Sequence, residues 1–399
     1  MFTDKILKRC RLCDFNELEL AFDFGMQPIV HHLVESQKES HPLFPFLIGV
    51  CPRCTFLQIV EPVKPQIFYE NYFTLSSWKP QPHAERLVDL IETFVGVQEN
   101  TRIFEVGCND GGFLKLLQKR GFDLVMGVEP TKDASDAAKV TGAPVVRGFY
   151  QLSTLGHFSD VFSRPDVIVS RQVIEHISDL SDFMETIARH IKPGGLLALE
   201  LPDHGMNYET LDYSFWEEHV NYFTLDTLNY LLLRFGFRII HYESRLFSGK
   251  CMFVLAVQDR KREPVYRSHR ASDAVFKYIR IFPEFKRRLS HFLEQQGGSG
   301  GVYVYGCGAR SSSLVNLLEI GGLFRGFIDD RVEKQGKFVP GCLLPINSSD
   351  SLPTQSTVAL GVNAEFERLV LNRHRFRTAF SLLPPSILLP DFWNDLRLN

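Results

Sequence analysis

The sequence has no long apolar run and no surplus of one charge. No stretch approaches the roughly 18 apolar residues of a transmembrane helix, and the charged N-terminus lacks the apolar region of a signal peptide. Lysine and arginine number 44 against 47 acidic residues, a net charge of -3. Without a basic surplus, nucleic-acid binding is not indicated. We therefore expect a cytoplasmic protein with a small-molecule substrate and no nucleic-acid or membrane partner.

The chain is too long for one ordinary hydrophobic core. Its 399 residues, 44% hydrophobic and 23% charged, are typical of a soluble globular protein with two or three domains. Composition and pattern predict four segments: a metal-stabilised module with an aromatic connector (residues 1–80), a central α/β domain (81–260), a basic helical linker (261–296) and a second α/β domain (297–399). The sequence leaves the oligomeric state open.

Four of the eight cysteines form two Cys-x-x-Cys pairs, Cys10 with Cys13 and Cys51 with Cys54. Two intervening residues allow both thiolates of a pair to reach one tetrahedral ion. Because four thiolates leave no open coordination position, the pattern predicts a structural Zn²⁺ site rather than a catalytic one.

From residue 101 onward, short apolar strands alternate with amphipathic helices. This alternation predicts a doubly wound, Rossmann-like parallel sheet. A second strand–glycine–helix unit at residues 302–318, followed by a strand at 324–328, predicts another Rossmann-like α/β domain. The strands predicted in the central domain are 102–106, 124–128, 166–170 and 196–201, and its helices are 113–119, 134–140 and 181–191.

A glycine-rich turn follows the first central strand and predicts a cofactor site. It lacks the strict Gly-x-Gly-x-x-Gly pattern of dinucleotide enzymes, and its acidic residues favour a cationic ligand such as the sulfonium of S-adenosylmethionine (SAM). An acid that ends the second strand suits the ribose hydroxyls, and residues after the next strand should also line the ligand. A nicotinamide cofactor is the alternative. The predicted cofactor residues are Glu105, Gly107, Asn109, Asp110, Gly111, Glu129, Arg171 and Gln172.

Histidines and acids near the later strands are candidates for acid–base chemistry. Glu218 and His219 lie in an aromatic segment, and an imidazole beside a carboxylate supplies a base near neutral pH. His176 follows another strand, and Tyr72 lies in an aromatic and hydroxyl-rich connector. The alternatives are that His176 caps a helix, that the Glu218–His219 segment is a surface run, and that the connector only packs.

Taken together, these motifs resemble the nucleotide-sugar C-methyltransferase family nearly from end to end. The residues that carry the resemblance are Cys10-x-x-Cys13, Gly25-Met-Gln-Pro28, Cys51-x-x-Cys54, Tyr72–Ser77 with His83-Ala84, Glu105-x-Gly-x-Asn109-Asp110-Gly111, Gly127-Val-Glu129-Pro130, Glu218-His219-x-x-Tyr222-Phe223, and Asp329-Asp330 followed by Lys334-Gln-Gly-Lys337-x-Val-Pro340-Gly341. The resemblance implies an N-terminal zinc-binding domain, a central SAM domain, a C-terminal Rossmann-like domain and a place in deoxysugar biosynthesis.

The resemblance also implies a reaction, carbon methylation beside a ketone. His219 would remove the proton, Glu218 would orient or charge it, and Tyr72 or His176 would steady the enolate oxygen. This chain departs from the family at Trp216-Glu217, where Tyr-His is usual, at Thr74, where a second tyrosine is usual, and at Phe247-Ser-Gly249-Lys250, where His-Gly-Gly-Ser is usual. O- or N-methylation of a sugar or surface-glycan precursor therefore stays open. A non-catalytic nucleotide-sugar scaffold is a further alternative. The turn Gly306-Cys-Gly308 lacks a third glycine at Ser311, and nicotinamide chemistry is not expected there.

Overall fold

The computed structural model describes residues 5–6, 8–69, 81–140, 142–259, 269–298, 300–353 and 356–398. Within them the chain forms three sheets, of five, seven and five strands. None of the helices in these ranges combines the length and apolar character needed to cross a membrane.

The first sheet is antiparallel and carries the N-terminal cysteines. Its strands, in spatial order, are β1 (Lys5–Ile6), β2 (Leu18–Pro28), β3 (Leu43–Val50), β4 (Leu57–Ile59) and β10 (Asn221–Tyr222), with a short helix α1 (Pro65–Tyr69) after β4. Strand β10 comes from the middle of the chain and pairs antiparallel with β4. The sheet therefore crosses the boundary predicted at residue 80.

The second sheet has seven strands in the order β11-β12-β9-β8-β5-β6-β7, and β12 runs in the opposite direction to the other six. Chain order reverses direction between β5 and β8, which makes that edge the topological switch point where ligands bind. The strands are β5 (Arg102–Val106), β6 (Leu124–Glu129), β7 (Val145–Arg147), β8 (Val167–Arg171), β9 (Leu196–Pro202), β11 (Phe237–Leu246) and β12 (Lys250–Gln258). The helices are α2 (Ala84–Val95), α3 (Gly112–Lys119), α4 (Lys132–Val140), α5 (Leu155–Val161), α6 (Leu180–His190), α7 (His204–Thr210) and α8 (Leu225–Arg234).

The third sheet is wholly parallel in the order β15-β14-β13-β16-β17. Its strands are β13 (Val302–Tyr305), β14 (Gly326–Ile328), β15 (Ile346–Asn347), β16 (Thr357–Leu360) and β17 (Thr378–Ser381), with helices α10 (Ala309–Leu317), α11 (Ala364–Arg373) and α12 (Asp391–Leu398). Single 3-10 turns occur at Leu152–Thr154, Ile174–His176, Gly321–Leu323, Val332–Lys334 and Ser349–Ser351.

The long helix α9 (His269–Gln296) differs from the linker predicted for residues 261–296. It is helical, but its apolar face is buried in a core shared with the first and third sheets. Tyr278 stacks on Tyr213, with ring centroids 4.3 Å apart, and accepts a hydrogen bond at its carbonyl from the Tyr213 hydroxyl at 2.7 Å. The basic residues of this segment lie on the other face of the helix.

Candidate active site

The four N-terminal cysteines converge at one buried point. The Sγ atoms of Cys10 and Cys54 are 3.4 Å apart, those of Cys13 and Cys51 are 3.6 Å apart, and all four lie within 4.8 Å of one another. In a tetrahedral zinc site with bonds of about 2.3 Å, thiolates are about 3.8 Å apart. The cysteine geometry therefore fits a zinc ion with no open position.

One cavity of about 1280 Å³ lies between the second and third sheets. Its walls come from the carboxyl ends of β5, β6 and β8, from the segment after β9, from the N-terminal module, and from the glycine turn after β13. The cavity thus joins the switch points of a mostly parallel and a wholly parallel sheet, where ligands of α/β proteins bind.

The turn after β5 is shaped for close backbone approach. Gly107 has a φ of +69°, and an added Cβ would meet Cγ2 of Val173 at 2.5 Å, so only glycine fits. Gly111 also has positive φ, +74°, and is the N-cap residue that precedes helix α3. The carboxylate of Asp110 accepts a hydrogen bond from the Gly112 amide at 3.0 Å, which caps the start of that helix.

Glu129 ends β6 and lines the cavity as predicted. Its carboxylate already accepts three hydrogen bonds, from the Asn109 amide at 3.0 Å, the Thr131 amide at 2.9 Å and the Thr131 hydroxyl at 2.7 Å. These contacts fix the side chain, while burial raises the pKa of the carboxyl. A fixed acid at the end of the second strand is well placed for a ligand's hydroxyl groups.

The other predicted cofactor residues divide into two groups. Among the described residues, Gly107, Asn109, Arg171 and Gln172 line the cavity, whereas Glu105, Asp110 and Gly111 lie outside its wall. Glu105 is 2% exposed, and burial raises the pKa of its carboxyl to about 8. Contacts of all the predicted residues with a cofactor, those that line the cavity included, stay predictions.

Glu200, which the sequence analysis missed, lies beneath the cavity wall and holds two residues that line it, Arg171 and Gln172. Its fully buried carboxylate accepts hydrogen bonds from Arg171 Nε at 2.7 Å and Gln172 Nε2 at 3.1 Å, and lies 2.9 Å from His83 Nε2. Burial favours the neutral acid, but Arg171 and His83 together hold the pKa of Glu200 at about 2. A lone glutamate in the apolar strand Leu-Leu-Ala-Leu-Glu-Leu-Pro was the available signal.

The two candidate histidines meet in the wall of the cavity, which both of them line. The rings of His176 and His219 have centroids 4.8 Å apart, and ligand atoms of both lie within 4.8 Å of a carboxylate oxygen of Glu175. Neither carboxylate oxygen of Glu175 accepts a hydrogen bond from another residue that the structure describes, and burial raises the pKa of this group to about 8. His176 ends a 3-10 turn, and the next helix is capped by Asp179 instead.

Glu218 faces the N-terminal module. Its Oε1 is 4.0 Å from Nε2 of His31, and the adjacent Glu217 accepts a hydrogen bond from the Val30 amide at 2.8 Å. His31 and His32 also line the cavity, and the sequence analysis did not predict them as site residues. The available signal was the high histidine content of the N-terminal module. Burial lowers the pKa of His31 to about 4. Tyr72 lies outside the described residues.

The third sheet contributes the opposite wall. The Cys307 amide donates to Asp329 at 2.9 Å, and Lys334 Nζ donates to the Cys307 carbonyl at 2.6 Å, so the turn after β13 is held by charged groups. The hydroxyl of Ser311 donates to the Gly306 carbonyl at 2.7 Å. Arg310 joins this wall to the loop that follows helix α7, through Asp212 and through Ser214 Oγ at 3.2 Å.

The strand order of the second sheet, the cavity at its switch point and the four-cysteine module define a SAM-dependent methyltransferase with a structural zinc site. Family models match in three places: a zinc binding domain at residues 10–69, a methyltransferase domain at 81–242 and a C-methyltransferase C-terminal domain at 268–374. The chain therefore resembles, in this order along the sequence, the three domains that these models describe.

Two relatives illustrate the similarity at different ranges. The C-methyltransferase NovU of Streptomyces niveus is 23% identical over 367 residues, which is 86% of each chain. The ubiquinone biosynthesis O-methyltransferase of Rhizobium rhizogenes is 30% identical over 103 residues, 25% of this chain and 40% of that protein. The first match spans the three domains, whereas the second is confined to one region.

Solved structures also resemble part of the chain. A SAM-dependent methyltransferase from Archaeoglobus fulgidus is 16% identical with a TM-score of 0.38, and covers 47% of this chain and all of its own. Magnesium protoporphyrin IX methyltransferase from Synechocystis, solved with bound SAH, is 13% identical with a TM-score of 0.38, and covers 49% of this chain and all of its own.

Proposed function

We propose that this enzyme transfers a methyl group from SAM to a carbon beside the ketone of a nucleotide-linked sugar. One observation carries the proposal: a single cavity joins the glycine turn at Gly107, the histidine pair His176–His219 and the cation-bearing wall of the third sheet. Such a cavity can hold a methyl donor, a reacting sugar and a nucleotide diphosphate side by side. The cytoplasmic location stays a prediction.

The donor would lie along the ends of β5 and β6. Gly107 allows close backbone approach, and Glu129 would accept hydrogen bonds from the ribose hydroxyls. Asn109, Arg171 and Gln172 complete this side of the wall. When bound, SAM supplies an electrophilic methyl group on a positively charged sulfonium.

His219 is the proposed base. Burial lowers the pKa of its imidazole well below the ordinary value, so the ring is neutral at pH 7 and can accept a proton. His219 would take the proton from the carbon beside the ketone, and the resulting carbanion would accept the methyl group. The sulfonium would become a neutral thioether, so charge and atoms balance.

The enolate oxygen needs a donor. His176 offers one because its Nδ1 is buried and has no hydrogen-bond partner among the described residues. We keep Tyr72, predicted from the resemblance, as a second donor. Glu218 would orient or charge the base, and because its carboxylate lies 4.0 Å from His31, this acid would act through the wider histidine cluster.

The nucleotide would lie against the third sheet. Lys334 is 23% exposed at its side chain and stands over the turn after β13, and Arg331 and Lys337 also line the cavity. Cationic side chains beside a glycine turn are suited to a diphosphate. This wall supports a nucleotide-linked acceptor rather than a free sugar.

A second candidate reaction is O-methylation, favoured by one observation. Trp216, whose ring centroid is 4.6 Å from that of His219, occupies the position where the family usually has tyrosine. Without that hydroxyl, His219 could instead deprotonate a sugar hydroxyl, for which no enolate donor is required.

Mass spectrometry of a panel of nucleotide-linked keto-sugars incubated with SAM tests the proposal. We expect a gain of one methyl group, together with loss of deuterium from the carbon beside the ketone when that position is labelled. Methylation with complete retention of the label would assign the reaction to oxygen. SAM binding without methylation of any acceptor in the panel would favour the non-catalytic scaffold.

A further inference from the structure

The segment that follows His219 is fixed on one side by the turn that carries His176. The Val220 amide donates to the Glu175 carbonyl at 2.8 Å. The side-chain amide of Asn221 donates to the carbonyls of Ile174 at 3.2 Å and Ile177 at 2.7 Å. These bonds set the spacing of the two imidazoles.

On its other side the same segment is fixed by the zinc module. Strand β10 pairs with β4, and the Ile59 amide donates to the Val220 carbonyl at 3.1 Å. Arg11 binds the same place: its Nη1 donates to the Val220 carbonyl at 3.1 Å and its Nη2 to the Ile59 carbonyl at 2.6 Å. One guanidinium therefore joins both strands next to His219.

Arg11 lies between the zinc-site residues Cys10 and Cys13, so its backbone position is set by the knuckle. The Asp14 amide closes the knuckle by donating to the Cys10 carbonyl at 3.0 Å. Helix α8 holds the knuckle from outside, because Arg234 donates to the Leu12 carbonyl at 2.7 Å. The geometry of the cysteine ligands therefore fixes the backbone position from which the Arg11 side chain reaches the carbonyls of Val220 and Ile59.

We propose that Arg11 is a positioning residue that couples the zinc knuckle to the proposed base His219. The catalytic consequence rests on the proposed function, whereas the coupling itself does not. Displacing a reacting group by about 1 Å can cost about 100-fold in rate. Zinc would then serve turnover as well as the folding of its own module.

The test compares Arg11→Ala and Arg11→Lys with Arg53→Ala. Arg53 is a matched control because it lies in the second knuckle, between Cys51 and Cys54, with an exposed side chain. For Arg11→Ala we expect kcat to fall about 10- to 100-fold with one zinc per chain and the SAM Kd unchanged. Arg11→Lys should recover part of kcat, since an ammonium can still donate to a carbonyl. Arg53→Ala should match the wild type.

Hydrogen exchange separates this inference from the proposed reaction. In Arg11→Ala the amides of residues 220–222 should exchange faster, and in Arg53→Ala they should not. If the acceptor is wrong, no turnover is seen in any variant, yet the exchange difference remains. The proposal would be overturned if Arg11→Ala changed neither the exchange rates nor kcat. It would also be overturned if both Arg11 variants lost zinc and that loss explained the fall in kcat.

Discussion

The rings of His176 and His219 stand edge to face, with an interplanar angle of 85° and centroids 4.8 Å apart. Burial lowers the pKa of His176 to about 4 and that of His219 well below its ordinary value. Both rings are therefore neutral at pH 7, so one can accept a proton while the other donates a hydrogen bond.

Replacing His219 with glutamine should remove most turnover. Glutamine keeps polarity and approximate size but is not a useful base, and a positioned base contributes about 100- to 10,000-fold in rate. We expect kcat to fall within this range while the SAM Kd, measured by calorimetry, changes little.

The control is His291→Gln, because His291 is exposed on helix α9. That variant should retain full activity. Near-normal turnover in His219→Gln would leave this residue a packing role beside Trp216 and move the search for a base to His176 or Tyr72.

Glu175 should make stability fall as pH rises. Its carboxyl has a pKa of about 8 in the folded protein because of burial, whereas an unfolded glutamate ionises near pH 4.3. Between these two pKa values the folded state holds a proton that the unfolded state has lost. The free energy of unfolding therefore decreases as pH increases, and the decrease is complete above about pH 8.

The measurement is the thermal midpoint of Glu175→Gln minus that of the wild type, from pH 5 to pH 8.5. We expect this difference in thermal midpoint to rise with pH. The corresponding change in the free energy of unfolding is on the order of a few kcal/mol. Glu99→Gln, at an exposed position, should give a flat difference. A flat line for Glu175→Gln as well would mean that Glu175 has another partner in solution.

The parallel strands of the second sheet could be predicted from sequence because each is a short apolar run that ends in a turn. The predicted and observed bounds of the first strand agree at 102–106, and 166–170 differs from β8 (Val167–Arg171) by one residue. Local periodicity carries this information, since it depends only on neighbouring residues.

The sequence could not show which distant residues pair. Strand β10 is only two residues long and gains its partner β4 from a segment more than 160 positions earlier. Likewise, the acid Glu218 was assigned to His219 from adjacency, yet the structure places its carboxylate 4.0 Å from His31. Such contacts depend on how whole sheets pack, which periodicity does not record.

Glu129 and Asp110 should affect SAM binding unequally. Glu129 lines the cavity, so Glu129→Ala should lose a charge-assisted hydrogen bond and weaken SAM binding by about 1.5–3 kcal/mol. Asp110 caps helix α3 outside the cavity wall, so Asp110→Ala should have a smaller effect, through the shape of the turn. Calorimetry with SAM measures both, and unchanged affinity in both variants would mean that the donor lies elsewhere.

The four-cysteine site should hold one zinc ion per chain, as measured by elemental analysis. Structural zinc contributes on the order of 10 kcal/mol to the folding of small modules. Cys51→Ser should therefore give insoluble protein or expose residues 8–69 to proteases, whereas Cys342→Ser, outside the cluster, should be tolerated. Carefully purified protein without zinc would contradict the site.

Lys334 should bind the nucleotide part of the acceptor. Its ammonium lies over the turn after β13, where it donates to the Cys307 carbonyl at 2.6 Å and lies 3.3 Å from Asp329. The Lys334 side chain also lines the cavity. Lys334→Ala should raise the Kd of a nucleoside diphosphate about 10- to 100-fold without changing the SAM Kd. Lys286 lies on helix α9 and its ammonium pairs with the exposed Glu319, so Lys286→Ala is the control. NAD(P) should bind neither tightly nor saturably, because the turn has Ser311 in place of a third glycine and its hydroxyl already bonds Gly306. Tight NAD(P) binding, or equal diphosphate affinity in Lys334→Ala and the wild type, would remove the nucleotide from this wall and leave the third domain a packing role.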